Sequence, residues 1–526
     1  MVFLDLLKIF SLVASPLLIK LSSGTFRGFT VNGTDRWLGI PYAEPPVGPL
    51  RFKAPLAISR PAPDIQDALH LSDACPQPTT TMTVREDCLY LNVWRPHQTS
   101  STARLPVIVW IHGGAYITGS ASDPAFDGTR IVTRSVAIKK PIILVTINYR
   151  LNTFGFLASS YVPLRDLNNG LQDQRVALEF VRDNVAKFGG DPEKVTIWGQ
   201  SAGAGSVEAH ILYLASQSLF RAAIMDSPTG PFKNSPPPST YDKPGRPFDA
   251  LLKATGCPAG PVAFSCLQEV PSVTLINTSN YLITSSLNHQ LWQPTIAPGS
   301  FASVRASVKI ASRDFLRVPV IVGTNLNEGT SFSTTLFGLG SSGRVEDAAF
   351  EKFVRASQID ESKITPDTLD DILELYPADT KQLPFSTGDS LFDRAAAWYG
   401  DNMFLSARRR FTAAAAKRQP VFSYLFTEFV PDDSPKLGVF HASELRLLFG
   451  PIPASNVEIN FANTMLDYFI TFVNDLNPGS SWPQHRPDSS LILQLQRNNI
   501  TAISDDFRLN FTKFLNRKEL LDEWEK

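Results

Sequence analysis

The sequence predicts an α/β fold with a mostly parallel central sheet, and two patterns in the chain from residue 105 onward lead to that prediction. Short apolar runs with the length of strands alternate there with longer stretches of helical periodicity. The apolar runs have no regularly alternating polar face, which is typical of strands that are covered on both sides. We therefore expect helices on both faces of the sheet.

The predicted strands are runs rich in Val, Ile and Leu, and one stretch between them has a clear helical spacing. The strands are 106–111, 141–148, 195–198, 222–225, 318–322 and 421–425. Apolar side chains recur every three or four residues from Asp173 to Phe188, which predicts a helix there. The glycine pair at 189–190, followed by Asp and Pro, is expected to end this helix.

Two long segments between the later strands, 229–315 and 330–415, exceed the length of a simple crossover. We expect them to form helical insertions that pack above the sheet and roof a pocket. The length of 526 residues alone would favour several domains. Because no linker separates the insertions from the rest of the chain, we predict a single domain over residues 17–526.

Composition and charge exclude several classes of protein. Apolar residues make up 43% of the chain and charged residues 19%, a globular balance that supplies a large core. The formal net charge of −1 does not fit a nucleic-acid-binding protein, which needs clustered Lys and Arg. No segment is apolar for long enough to predict a transmembrane span. No spacing of Cys and His fits a metal site, so we expect neither a metal nor another cofactor.

Residues 1–16 have some features of a secretory signal peptide. An apolar core follows Lys8, although it is short and Asp5 interrupts the approach to it. We expect either a cleaved signal peptide or a short N-terminal arm, with secretion favoured over an intracellular location. Glycosylation sequons are no more frequent than chance predicts, so they do not by themselves indicate a glycoprotein. The sequons begin at Asn32, Asn277, Asn499 and Asn510.

Four cysteines fall into two local pairs, Cys75 with Cys88 and Cys257 with Cys266. Four cysteines allow three disulfide connectivities. Pairing of the sequence neighbours closes two short loops and leaves no thiol unpaired, and short disulfide loops are typical of secreted chains. The alternative is four buried free thiols.

The segment from Gly199 to Gly203 fits the Gly-x-Ser-x-Gly pattern of a nucleophile elbow, with Ser201 at its centre. Small residues suit this pattern because the chain turns tightly from a strand into a helix and holds the serine in a strained conformation. A predicted strand precedes the pattern, and the segment after it is able to form a helix. Ser201 is therefore the candidate nucleophile, and the alternative is an ordinary glycine-rich turn.

A second glycine-rich segment, His112-Gly113-Gly114-Ala115, comes directly after a predicted strand. Acyl transfer needs backbone N–H donors aimed at the oxygen that becomes negative in the transition state. Glycines allow the backbone to approach the substrate closely. We predict the oxyanion donors to be the amides of Gly114, Ala115 and Ala202. The alternative is a turn that only ends the strand.

A histidine base and an orienting acid are expected after the serine in the chain. His210 is too close to the serine, His289 precedes any good acidic candidate, and His485 lies in a proline-rich segment that predicts a surface loop. His441 remains as the candidate base. Glu328 directly follows a predicted strand, at the sheet edge where ligands bind, and is the candidate acid. The alternatives are a buried structural histidine and a loop cap.

These residues and several further blocks resemble the type-B carboxylesterase family, which includes cholinesterases and some fungal lipases. The resemblance extends from about residue 20 to residue 515 and keeps the blocks in the order of the family. It implies an α/β-hydrolase fold, a Ser–Glu–His triad and disulfides between the neighbouring cysteines. The blocks are 39–48, 50–52, 86–93, 148–150, 155–157, 170–174 and 188–192.

Carried onto this sequence residue by residue, the resemblance makes Ser201 the nucleophile, Glu328 the acid and His441 the base. It also implies that Ser227, which matches a supporting serine of relatives, assists the triad.

The sequence departs from the family at several positions. Gln200 stands before the nucleophile, where Glu is frequent, and Asn327 stands before the acid, where Asp is usual. Both departures change the charge near the histidine. The loop 76–87 lacks the tryptophan on which choline recognition depends in the family, so choline esters are not expected as substrates. The same loop is short and rich in threonine, which does not favour a lipase lid and interfacial activation.

The sequence therefore predicts a carboxylic ester hydrolase that works through an acyl-enzyme on small-molecule esters, either short- to medium-chain or natural-product esters. One alternative is an acyltransferase or lactonase that tailors a secondary metabolite with the same triad. Another is a non-catalytic binding protein on the same fold.

Overall fold

Thirteen strands join into one sheet in the computed structural model of the protein, which describes residues 17–78, 80–230, 234–339, 343–378, 386–453 and 455–526. The predicted signal peptide or arm over residues 1–16 lies outside the described residues. The strands are β1 (Leu17–Leu21), β2 (Gly24–Val31), β3 (Thr34–Pro41), β4 (Ile65–Asp67), β5 (Tyr90–Pro96), β6 (Leu105–Ile111), β7 (Ile143–Ile147), β8 (Gly190–Gln200), β9 (Ala222–Asp226), β10 (Val320–Asn325), β11 (Val421–Phe426), β12 (Leu491–Leu495) and β13 (Thr501–Ser504).

The strand order along the sheet is β1-β2-β3-β5-β7-β6-β8-β9-β10-β11-β12-β13, with β4 paired to β2. The run from β7 to β12 is parallel throughout, while the strands at both ends pair antiparallel except for the parallel pair of β2 and β4. This confirms the predicted α/β fold with a mostly parallel sheet. Because the central strands run in one direction, the loops after β6, β8 and β10 leave the sheet at one edge.

Both faces of the central strands are buried, which accounts for their continuous apolar sequence. In β6, Val107 and Val109 belong to one hydrophobic cluster, whereas Ile108 and Trp110 belong to a second cluster on the opposite face. Successive side chains of a strand point to opposite faces, so a strand between two helical layers needs apolar residues at every position.

Helices cover both faces and fill the two long segments between strands, as predicted. Helices α5 to α8 lie in the first insertion, and α9 to α12 lie in the second. A π-helical turn, Asp401–Leu405, joins α11 to α12. The helices are α1 (Thr129–Ala137), α2 (Asn152–Phe156), α3 (Asn169–Asn184), α4 (Ala202–Leu212), α5 (Pro247–Thr255), α6 (Ala263–Glu269), α7 (Ser272–Thr284), α8 (Ala306–Ser312), α9 (Gly343–Ala356), α10 (Pro366–Leu375), α11 (Ser390–Gly400), α12 (Ser406–Ala415), α13 (Leu445–Phe449), α14 (Asn456–Asp475), α15 (Leu509–Leu515) and α16 (Lys518–Glu523).

The helix predicted over 173–188 has different ends in the structure. It begins earlier, at Asn169, and its first turn contains Asn and Gly, which are poor helix formers and give no apolar signal. Its last four predicted residues form a separate 3₁₀ turn that ends at Gly189 with φ 86°. Strand β8 likewise starts at Gly190 instead of Val195, because Gly190 pairs with Leu105 of β6.

Two disulfides, Cys75–Cys88 and Cys257–Cys266, close the short loops predicted from the sequence. The second bond links the end of α5 to α6 in the first insertion. Within the residues that the structure describes, every cysteine is paired. Those residues also include no helix with the length and apolar character of a membrane span.

Candidate active site

Ser201 lies at a tight turn between β8 and α4. Its backbone has φ 58° and ψ −124°, a conformation that residues with a side chain rarely adopt. The Ser201 N–H donates to the carbonyl of Asp226 at 2.8 Å, which ties the turn to β9. A Cβ at Gly203 would overlap the carbonyl oxygen of Ile111, so this glycine lets α4 start directly against β6. The turn therefore has the strained form expected of a nucleophile elbow.

The three amides predicted as oxyanion donors lie beside this turn. The loop after β6 approaches Ser201 closely, since a Cβ at Gly113 would lie 3.0 Å from the Ser201 Cβ. In this loop Gly114 and Ala115 have φ of 103° and 56°, and neither N–H donates to an acceptor within the described part of the chain. Ala202 is the first residue of α4, where an N–H has no acceptor in its own helix. These amides are able to stabilise negative charge near the serine.

His441 and Glu328 form a close pair at the same edge of the sheet. His441 Nδ1 lies 2.5 Å from Glu328 Oε2, and both side chains are buried. The loops that carry them are joined through Asn327, whose N–H donates to the Val439 carbonyl and whose Oδ1 accepts from the Val439 N–H, each at 2.9 Å. The Asn327 amide thus fixes the distance between the two loops without adding a charge beside the pair.

The second carboxylate oxygen of Glu328 is held by two donors from neighbouring strands. The Ser227 hydroxyl donates to Oε1 at 2.6 Å, and the Asn325 N–H donates to the same oxygen at 2.7 Å. These bonds leave Oε2 turned toward the imidazole of His441. The structure therefore places Ser227, which the resemblance assigns to the support of the triad, in contact with Glu328.

Gln200 contacts the other nitrogen of the imidazole. Its Nε2 lies 3.1 Å from His441 Nε2. Because an ionised carboxylate only accepts hydrogen bonds, a proton on Nδ1 faces Glu328, and the Nε2 lone pair accepts from the Gln200 amide. Among the described residues, Ser201 Oγ makes no hydrogen bond. Gln200, which stands where the family frequently has Glu, thus places a neutral hydrogen-bond donor instead of a carboxylate on His441 Nε2. This is the nitrogen that faces the serine turn.

A small cavity of about 20 Å³ opens beside Ser201. That volume is close to the space of a single water molecule. Phe332 and Phe404 form part of its wall and also pack against the His441 ring, with centroid distances of 5.2 and 4.4 Å. Its lining combines the serine turn with both insertions: Ala115, Tyr116, Ser201, Ala202, Thr229, Gln290, Gln293, Phe332, Tyr399, Met403 and Phe404.

Of the three remaining candidate histidines, two are buried and hydrogen-bonded. His210 is buried and contacts the Gln174 side chain at 3.0 Å, and burial lowers its pKa well below the usual value. His289 is exposed. The prediction that His485 lies on a surface loop is wrong: the side chain is 6% exposed, and its backbone N–H donates to Val421. The prolines around His485 predict a loop, but this loop packs against β11.

Two further buried acids lie near the pair. Trp198 and Tyr424 donate to Asp226 at 2.6 and 2.8 Å, and burial raises the pKa of Asp226 to about 7. Burial also raises the pKa of Glu444 well above its usual value, and the Asn325 side chain donates to Glu444 at 2.5 Å.

Sequence reasoning missed several residues of the site. The backbone N–H of Asn325 orients the acid. The sequence signal for this role is the position of Asn325 at the end of β10, directly before the loop that carries Glu328. Gln293, Phe332 and Phe404 come from the insertions, whose loops have no periodicity that identifies pocket residues. A larger cavity of about 900 Å³ lies between α8, α12 and α15 and includes none of the predicted site residues.

Comparisons with known proteins identify the family of the chain. A family model described as the carboxylesterase family matches residues 15–514. The secreted triacylglycerol lipase LIP1 of Gibberella zeae is 30% identical, over 95% of this chain and 90% of its own length. The para-nitrobenzyl esterase of Bacillus subtilis is 32% identical, over 92% and 95%. The crystal structure of Aspergillus niger EstA has a TM-score of 0.83 and 27% identity, and covers 97% of this chain and 99% of that one.

Proposed function

This chain belongs to the carboxylesterase family and is a carboxylic ester hydrolase, and from that premise we propose that Ser201, His441 and Glu328 perform the hydrolysis through an acyl-enzyme. The observation that carries the proposal is the 2.5 Å contact between His441 Nδ1 and Glu328 Oε2, at the same sheet edge as the strained serine turn. A base oriented by an acid, near a serine with free backbone amides, is the arrangement that acyl transfer requires.

In the first half of the reaction, His441 Nε2 takes the proton of Ser201 Oγ while Oγ attacks the ester carbonyl. The carbonyl oxygen becomes an oxyanion and accepts hydrogen bonds from the amides of Gly114, Ala115 and Ala202. The imidazolium then gives its proton to the leaving alkoxide, so an alcohol departs and an acyl-Ser201 ester remains.

In the second half, water replaces the alcohol. His441 Nε2 takes a proton from water, the resulting hydroxide attacks the acyl carbonyl, and the proton returns to Ser201 Oγ as the carboxylic acid leaves. Glu328 stays ionised in both halves, holds the proton of the neutral imidazole on Nδ1, and stabilises the imidazolium.

Gln200 gives the resting site a second partner for His441 Nε2. Its amide donates to the lone pair that the mechanism uses to accept the serine proton. Catalytic hydrogen bonds are often long or misaligned before a substrate binds. We infer that Nε2 exchanges the Gln200 amide for the Ser201 hydroxyl when an ester enters the site.

The substrate class that the site supports best is an ester with a small acyl group. The cavity beside Ser201 measures about 20 Å³, and aromatic side chains of the second insertion, Phe332, Tyr399 and Phe404, narrow it. A methyl group occupies such a space without rearrangement, whereas a long acyl chain requires the aromatic wall to move. The loop 76–87 has no tryptophan, which supports the exclusion of choline esters.

The test of this proposal is the turnover of p-nitrophenyl acetate, butyrate and palmitate by the purified protein. We expect kcat/KM to fall by at least about 10-fold from acetate to palmitate. An acyl chain longer than the pocket forces the aromatic wall to move, and this rearrangement costs binding free energy. Equal or rising kcat/KM toward palmitate would contradict the small acyl pocket. Covalent labelling of Ser201 by a fluorophosphonate, without turnover of any of these three esters, would favour an acyltransferase or a hydrolase of one natural product.

We also propose that the protein is secreted. Its two disulfides suit an oxidising compartment, where glutathione does not reduce them. Two relatives carry secretion in their names, the Gibberella zeae lipase and the secreted lipase 1 of Botryotinia fuckeliana, which is 32% identical over 94% of this chain and 90% of its own length.

A further inference from the structure

The cavity beside Ser201 is lined by a side-chain amide that has no hydrogen-bond partner among the described residues. Gln293 is 3% exposed and lines the cavity together with the serine. In the part of the chain that the structure describes, its side-chain amide makes no hydrogen bond. The second glutamine of the cavity differs, because the Gln290 amide lies 3.3 Å from the Tyr399 hydroxyl.

The backbone of Gln293 is fixed although its segment has no helix or strand. The Tyr241 hydroxyl donates to the Gln293 carbonyl at 3.2 Å and accepts from the Gln293 N–H at 3.4 Å. The adjacent Trp292 ring stacks on Tyr241, and its indole N–H donates to Thr153 Oγ1 at 2.8 Å. The amide is therefore held beside the nucleophile by contacts that do not involve the amide itself.

The chemistry around Gln293 gives this amide a selective effect. Much of the cavity wall is apolar, with contributions from Phe332, Met403 and Phe404. A small number of polar groups in an apolar pocket is enough to orient a ligand, because covering an amide without replacing its hydrogen bonds to water is costly. An acyl group that offers an oxygen to the amide removes this cost, whereas a purely aliphatic acyl group of the same size does not.

We propose that Gln293 donates a hydrogen bond to an oxygen on the acyl group of the substrate, and that the preferred substrates are esters of short oxygen-bearing acids such as hydroxy-, alkoxy- or oxo-acids. This inference rests on the proposed function. The acyl side is assigned because the acyl group stays bonded to Ser201 after the alcohol leaves, and the small cavity adjoins that serine.

The test compares p-nitrophenyl methoxyacetate with p-nitrophenyl butyrate, which have the same leaving group and the same number of heavy atoms. Each kcat/KM is divided by the rate constant for hydroxide-catalysed hydrolysis of the same ester, which removes the difference in intrinsic reactivity. We expect the wild-type protein to prefer the methoxyacetate by about 10- to 100-fold after this correction. Gln293→Met, which keeps the length of the side chain without its amide, should reduce the preference to about 3-fold or less.

Two further variants complete the design. Gln293→Glu replaces the amide donor with a carboxylate and should lose the preference for the methoxyacetate as well. This second variant keeps the inference testable if Gln293→Met unfolds at the assay temperature. Gln290→Met is the matched control, because its amide already has Tyr399 as a partner, and it should keep the corrected preference.

A corrected ratio near one in the wild-type protein, or a ratio unchanged by Gln293→Met, would overturn the inference. Loss of the preference in Gln290→Met with retention in both Gln293 variants would also overturn it. Failure of the proposed function is distinguishable, because the wild-type protein would then turn over neither p-nitrophenyl ester.

Discussion

Replacing Ser201 with alanine is expected to lower kcat for p-nitrophenyl acetate by at least about 10⁴-fold. The variant removes the hydroxyl that forms the acyl-enzyme and leaves the oxyanion amides and the cavity in place. The backbone of the turn is held by the Ser201 N–H bond to Asp226, which alanine keeps. The residual rate then measures what the amides and substrate binding contribute without a nucleophile.

The matched control for this variant is Ser216→Ala, at an exposed serine after α4. Ser216→Ala should hydrolyse p-nitrophenyl acetate at the rate of the wild-type protein. The melting temperatures of Ser201→Ala and Ser216→Ala should both lie within a few degrees of the wild-type value. A kcat for Ser201→Ala within about 10-fold of the wild-type value would mean that another group is the nucleophile.

Replacing Glu328 with glutamine is expected to lower kcat by about 10³- to 10⁴-fold. The Ser227 hydroxyl and the Asn325 N–H both donate to Oε1, so the amide oxygen of glutamine takes that position. The amide nitrogen then occupies the Oε2 position and donates to His441 Nδ1. The imidazole must carry its proton on Nε2 in that case, and it has no lone pair to accept the proton of Ser201.

Glu444→Gln is the matched control for the acid, since Glu444 is also buried near the imidazole. Burial raises its pKa well above the usual value, which favours the neutral carboxyl, and the amide of glutamine has the same shape and no charge. We expect its kcat to stay within about 10-fold of the wild-type value. Equal losses of kcat in Glu328→Gln and Glu444→Gln would show that Glu328 does not act by holding the proton of His441 on Nδ1.

Much of the fold was predictable because parallel strands between two helical layers need apolar residues at successive positions. The segments containing β6 to β11 stand out in the sequence for that reason, and each candidate site residue follows one of them. The order of Ser201, Glu328 and His441 along the chain then follows from the fold, and the structure places the last two 2.5 Å apart.

The features that escaped prediction depend on contacts between segments far apart in the chain. His485 is buried because its loop packs on β11, and nothing in its proline-rich neighbourhood encodes that contact. Gln293 is fixed through Tyr241, across a stretch without periodicity. The bond from Gln200 to His441 spans 241 positions and depends on side-chain orientation, which local sequence does not specify.

Mass spectrometry of the purified wild-type protein after reaction with a fluorophosphonate shows directly whether Ser201 is the nucleophile. This reagent phosphonylates a serine only where a base and an oxyanion site activate it. We expect one adduct per chain, located on Ser201 by peptide mapping and absent from Ser201→Ala. No adduct, or an adduct on another residue that persists in Ser201→Ala, would contradict the proposed mechanism.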